Sequence, residues 1–202
     1  MNKIIVANWK SNPKTLAQAK KLFNGVKETK AVICPPFSYL SVFKYRFLCA
    51  QDYRSPKRLK NLGVKYVIIG HSERRALGET EEIIEKKLRA ALKDGLTPIL
   101  CVGEKKGEDA EKVVNKQLKK NLKGVIIAYE PVWAIGTGNF CSANKANKVR
   151  EFIKEKLDNK ILYGGSVNSK IAKDYLKIGF DGLLIGGASL DVEEFRKIAK
   201  NA

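Results

Sequence analysis

The sequence predicts an α/β protein folded as one compact (β/α)8 barrel over residues 1–202, and three observations predict it. Eight short apolar runs recur along the chain. A longer run with helical periodicity follows each of them, the pattern of a parallel sheet with helices outside. No linker, low-complexity stretch or break in composition divides the series. Closure of eight βα units into a barrel follows. A doubly wound open sheet is the runner-up, but it would want a glycine-rich turn after its first strand, and Ala7-Asn8-Trp9-Lys10 is not one.

The predicted strands are Ile4–Ala7, Ala31–Cys34, Phe47–Ala50, Tyr66–Ile69, Pro98–Val102, Val125–Ala128, Ile161–Tyr163 and Gly182–Ile185. The predicted helices are Lys14–Lys27, Phe37–Lys44, Pro56–Asn61, Thr80–Lys93, Asp109–Lys120, Ala143–Leu157, Lys170–Ile178 and Val192–Lys200. Ser142 and Asp191 suit helix N-caps, and Gly95 and Gly179 suit helix stops. The chain is short for its class, since such barrels run to about 250 residues. The shortfall is concentrated: Phe37–Lys44 is a very short second helix, and Gln51–Lys65 leaves the third βα loop nearly absent.

Composition narrows the function. With 202 residues and 44% hydrophobic content there is material for one sizeable core. No run approaches the roughly 18 apolar residues of a membrane span. The N-terminus shows no cleavage-site pattern. Cys34, Cys49, Cys101 and Cys141 are widely spaced with no CxxC pair, and His71 is the single histidine. They read as reduced core thiols of a cytoplasmic protein, with no metal site. The net charge of +18 reads first as a lysine-rich solvated surface. Steering of a small phosphorylated substrate comes second and nucleic acid last, for no compact basic tract with aromatics occurs.

In this class the site forms at the C-terminal ends of the strands. That rim collects Asn8 and Lys10 after strand one, His71 and Glu73 after strand four, Glu104 after strand five and Glu130 after strand six. Gly164-Gly165-Ser166 and Gly186-Gly187 follow strands seven and eight, where barrels commonly bind phosphate. Glycine lets backbone N–H groups approach an anion, although tight turns with φ > 0 would use glycine as well. A carboxylate base, a hydrogen-bond donor and a cation around a phosphate pocket suit proton transfer beside a carbonyl.

The stretch Pro131-Val132-Trp133-Ala134-Ile135-Gly136-Thr137-Gly138 has a stiff entry at its proline and a soft exit at its glycines. That is how a lid is built, and an ordinary solvated turn would not explain Trp133 and Ile135.

Asn8-Trp9-Lys10, Gly70-His71-Ser72-Glu73-Arg74-Arg75, Ala128-Tyr129-Glu130-Pro131-Val132-Trp133-Ala134-Ile135-Gly136-Thr137-Gly138, Tyr163-Gly164-Gly165-Ser166-Val167 and Gly186-Gly187-Ala188-Ser189-Leu190 together resemble the triosephosphate isomerase family, in order and over nearly the whole chain. The resemblance implies a TIM barrel that interconverts dihydroxyacetone phosphate and D-glyceraldehyde 3-phosphate without a cofactor, in glycolysis and gluconeogenesis. It implies Glu130 as the base, His71 as a neutral electrophile, and Lys10 and Asn8 as stabilisers of the enediolate, with Glu73 beside Lys10. It implies Gly136, Ser166, Gly186 and Gly187 as phosphate-binding residues, and residues 131–138 as a lid clasped by Tyr163 and Ser166.

One departure stands out. Family members usually carry a long third loop that reaches into the neighbouring subunit of a dimer. Here Ala50-Gln51-Asp52-Tyr53-Arg54-Ser55-Pro56 passes straight into a short helix, and Ser11 stands where methionine is usual. The expectation is a monomer or a non-standard oligomer. The alternatives are a truncated or engineered scaffold with little activity, or another phosphosugar-binding barrel or basic nucleic-acid binder on the same fold.

Overall fold

The computed structural model describes residues 3–52, 56–118 and 122–201, with backbone alone for 56–58. Its eight strands are β1 (Ile4–Asn8), β2 (Val32–Cys34), β3 (Cys49–Gln51), β4 (Tyr66–Ile69), β5 (Thr97–Val102), β6 (Ile126–Tyr129), β7 (Ile161–Gly165) and β8 (Gly182–Ile185). All are parallel, in the order β2-β1-β8-β7-β6-β5-β4-β3. The ends of that order, β2 and β3, meet through a single bridge, Ile33 to Leu48, which makes the sheet a nearly closed barrel.

Strand residues alternate between two faces, and each face is apolar. Val6, Val32, Cys34, Cys49, Ile68, Ile99, Cys101, Ile126, Ala128, Leu162 and Leu184 fill the lumen. Their in-between neighbours, such as Ala7, Ile33, Val67, Leu100, Ile127 and Leu183, pack outward under the helices. Each such buried aliphatic side chain contributes about 1.5–3 kcal/mol relative to exposure. All four cysteines are buried and free, as expected of core thiols.

The helices are α1 (Leu16–Val26), α2 (Pro56–Asn61), α3 (Ser72–Ala76), α4 (Glu81–Lys93), α5 (Ala110–Gln117), α6 (Ala143–Lys156), α7 (Ala172–Lys177) and α8 (Val192–Lys200). The expected caps are present. Ser142 Oγ accepts the Lys145 N–H at the start of α6, and Asp191 accepts the Glu194 N–H at the start of α8. Gly95 and Gly179 sit at φ of 74° and 105° just past α4 and α7, a conformation glycine adopts without penalty.

Two elements differ from expectation. Phe37–Val42 is a 3-10 helix, begun by the Tyr39 N–H to Pro36 carbonyl bond of 2.9 Å, because Pro35-Pro36 and six residues leave no room for α turns. The short α3 has no apolar periodicity to announce it. It forms because His71 caps it with a ring nitrogen, Glu73 lies in its first turn and Arg74 and Arg75 in its last. Of the expected fifth helix, Lys119 and Lys120 lie outside the described residues, as do Tyr53, Arg54 and Ser55 of the third connection.

Candidate active site

The period-two alternation that fills the lumen also aims the site. Glu130 lies two residues beyond the lumen residue Ala128, Asn8 two beyond Val6, and Gly164 and Gly186 two beyond Leu162 and Leu184. Each therefore continues the inward face past the last apolar layer, at the strands' C-terminal end. A cavity of about 450 Å³ opens there, lined by Asn8, Lys10, His71, Glu130, Ile135, Gly136, Ser166, Gly186 and Gly187 among others.

Glu130 is buried, and its Oε2 has no hydrogen-bond partner among the described residues. Two glycines make its place. A Cβ on Gly164 would stand 2.5 Å from Glu130 Cγ, and one on Gly103 would stand 1.9 Å from the Glu130 carbonyl oxygen. Beneath it, burial and then the Glu130 charge push the Cys101 thiol well up, so Cys101 stays protonated and adds no second charge. Gly164 thus serves as a seat for the carboxylate, while Gly165 holds a φ of 140° that few other residues adopt. Gly187 is different: a Cβ there would meet nothing within 4 Å, so its bare backbone faces open cavity.

His71 Nε2 lies 3.9 Å from Glu130 Oε2. Its other nitrogen, Nδ1, accepts the Glu73 N–H at 3.3 Å, which leaves the ring proton on Nε2, facing Glu130. Lys10 has a φ of 56°, unusual for a residue with a side chain, and the Asn8 Oδ1 accepts its N–H at 3.2 Å. The Lys10 ammonium pairs with Glu73 at 2.9 Å. Glu73 in turn accepts a 2.9 Å bond from the Gln51 side-chain amide. Partial burial raises the Glu73 pKa, but Lys10 and Gln51 outweigh it and hold the carboxyl below its usual range.

The segment 131–138 leaves β6 at Pro131, with a 3-10 turn over Val132–Ala134. The Val132 N–H donates to the Glu104 carbonyl at 2.8 Å, and the Trp133 indole donates to the Glu104 carboxylate at 2.8 Å. Tyr129 donates to the same carboxylate at 3.1 Å. At the far side the Ser166 hydroxyl donates to the Ala134 carbonyl at 2.7 Å and accepts the Gly138 N–H at 3.1 Å. Gly136 and Gly138 both have positive φ, 69° and 76°.

The structure brings the residues expected from the sequence to one rim: Asn8, Lys10, His71, Glu130, Gly136, Ser166, Gly186 and Gly187 line the cavity, and Glu73 adjoins it through Lys10. Two expectations need refinement. The Ser166 N–H donates to the Ala134 carbonyl at 3.0 Å, so in this conformation it is committed to the segment 131–138. Tyr163, expected to clasp that segment, meets it just past its second end: the hydroxyl faces the Cys141 backbone and the Tyr175 hydroxyl, and the ring stacks on Tyr175. Sequence reasoning gave no role to Glu104, which anchors Trp133, to Gln51, which props Glu73, or to Gly103. The one available signal was Glu104's place at a strand end beside the site.

Among the described residues no helix is long and apolar enough to cross a membrane, and no group of three His, Cys, Asp or Glu could hold a metal ion. The family model described as triosephosphate isomerase matches residues 3–202. A triosephosphate isomerase from Picosynechococcus sp. is 40% identical over 238 aligned residues, covering 98% of this chain and 98% of that relative. That alignment is longer than the 202-residue chain, so the relative carries residues where this chain has none.

Proposed function

We propose that this chain, which belongs to the triosephosphate isomerase family and is an isomerase, interconverts dihydroxyacetone phosphate and D-glyceraldehyde 3-phosphate in glycolysis and gluconeogenesis. The observation that carries the reading is the pair Glu130–His71: an unpartnered carboxylate oxygen and an imidazole Nε2 at 3.9 Å, on a cavity edged by bare glycine backbone.

Glu130 takes a proton from one carbon of the substrate and returns it to the next. Its seat on Gly164 fixes the direction of approach, and its free oxygen needs no rearrangement before it reacts. His71 donates from Nε2 to the substrate oxygens, with Nδ1 already satisfied by the Glu73 amide. A Glu base with a neutral His and a closing lid is the pairing known for this family, so the roles are inherited from it and the contacts are what support them here. Lys10 supplies positive charge to the enediolate, aimed by Glu73 and by its own left-handed backbone, with Asn8 beside it. The substrate phosphate sits at the Gly186–Gly187 and Gly136 edge, where backbone N–H groups approach an anion most closely. Ser166 joins them once its amide proton leaves Ala134. Residues 131–138 form the lid, and closure keeps water from the enediolate, which would otherwise expel its phosphate.

The chain acts as one domain without a cofactor, on a small phosphorylated triose and not on nucleic acid or membrane. The buried free thiols suit a cytoplasmic setting. It is a monomer or a non-standard oligomer, because β3 passes to α2 without room for a long third loop. Light scattering on the eluting protein should give one chain's mass, 22.5 kDa; a dimer of ordinary family geometry would refute that.

A coupled isomerase assay beside Glu130→Gln tests the activity. The variant should lose roughly a thousandfold in kcat, the scale of a positioned general base. Absence of turnover in the parent would mean a scaffold that keeps the site but lost activity with its third loop.

A further inference from the structure

The lid's first end is fixed by Pro131 and by the two bonds to Glu104. Its second end lacks a proline. Residues 136–140 are exposed, Phe140 at 53%, and Cys141 is then fully buried, just before the Ser142 cap of α6. The chain must be held at that point, and a side chain from another element holds it. The Tyr175 hydroxyl, on α7, donates to the Cys141 carbonyl at 2.5 Å. The Tyr175 ring lies on that of Tyr163, with centroids 3.8 Å apart and planes 9° from parallel. Phe180 stands edge-on to both, at 5.6 Å from Tyr163 and 6.4 Å from Tyr175. The Tyr163 hydroxyl faces the Tyr175 hydroxyl and the Cys141 backbone, so ring and hydroxyl both engage the same pair.

We propose that Tyr175 is a lid-positioning residue: its hydroxyl pins the lid's second end at the Cys141 carbonyl, and its ring locks Tyr163 beneath that end. The proposal rests on residues 131–138 being a lid, as argued above. A packing role alone would need only the ring, and phenylalanine would supply it. A phenol at a position 1% exposed requires a partner, and the partner it finds is the first buried carbonyl after the moving segment. With that carbonyl fixed, the lid's second end turns at Gly136 and Gly138, whose φ is already positive, and Ser166 meets the lid in one place.

Tyr175→Phe keeps the stack and removes the bond. If that bond holds the lid's second end for closure, its loss should lower kcat roughly three- to tenfold with little change in KM. The decisive readout is inorganic phosphate released per isomerisation turnover. In that side reaction the enediolate's electron pair expels phosphate, the C3–O bond breaks, and the remaining enol tautomerises to a three-carbon ketoaldehyde. A loosened lid raises that fraction. A residue that merely supports the fold lowers the melting temperature and kcat together and leaves the fraction unchanged, which would overturn the proposal. Hydrogen exchange of the 136–142 amides gives a readout independent of turnover. It should quicken roughly three- to tenfold in Tyr175→Phe, as loss of one such bond implies, with the rest of the barrel unchanged. Unchanged exchange there would overturn the assignment as well. A parent without turnover, or an active Glu130→Gln, would instead overturn the isomerase mechanism while the exchange result still decides the role of Tyr175.

Discussion

The rim above β6, β7 and β8 and the seam between β2 and β3 are built on opposite terms. Under the lid, β6 pairs with β7 over three register positions and β7 with β8 over four. At the seam a single bridge joins Ile33 to Leu48, helped by the Ile33 N–H donating to the Phe47 carbonyl at 3.0 Å. Yet the seam side also serves the site, for Gln51 at the end of β3 props Glu73 and through it Lys10. The difference teaches that the carboxylate proposed as base and the proposed lid stand over an uninterrupted ladder. A charge held by a side-chain relay tolerates a nearly open one, and the chain is shortened on that side.

Substitutions can break this contrast at either end. The largest effect should come from Leu48→Ala at the seam. Leu48 is fully buried, and its truncation should cost about 2–5 kcal/mol of unfolding free energy while kcat stays within a factor of two below the transition. Denaturant melts beside the isomerase assay check it, and a parallel collapse of kcat would show that seam and site are one unit. Gly164→Ala probes the other side. Its new Cβ would push Glu130 off its seat, so kcat should fall on the order of a hundredfold, the scale of a 1 Å misplacement, with a nearly unchanged melting point. Equal stability and equal kcat would mean that the base is not placed by that contact.

The smallest effect belongs to Gln51→Leu. The folded pKa of Glu73 lies below the usual value, so its contribution to stability is present above that value and is lost as pH falls through the folded one. Removing the Gln51 bond raises the folded value toward the unfolded one. The acid-side loss then begins at the same pH but is complete at a higher one, and the contribution shrinks. Glu73 is about half exposed, so solvent screening keeps the change below about 1 kcal/mol. Unfolding curves across the acid range in both proteins would show it, and identical pH dependence would remove Gln51 from the relay.

Most of the fold was legible because buried parallel strands leave continuous apolar runs, and all eight predicted strands agree with the structure to within two residues at each end. The rim was legible because period-two alternation carries it past the last lumen layer, as from Ala128 to Glu130. What was not legible depends on partners far apart in the chain. Glu104 becomes an anchor only because Trp133 folds back onto it, 29 residues away. Gly164 looked like phosphate-binding backbone, and only the packed carboxylate shows that it is bare for Glu130. The helix α3 escaped because a ring nitrogen caps it, which no composition rule anticipates.

The Ser166 hydroxyl gives to Ala134 and takes from Gly138 at the same moment. One side chain at the exit of β7 therefore ties both halves of the loop between them to a single point. If residues 131–138 move as one body, a probe on the indole and a probe at the glycines should report one relaxation with one time constant, and two time constants would show that the halves move apart.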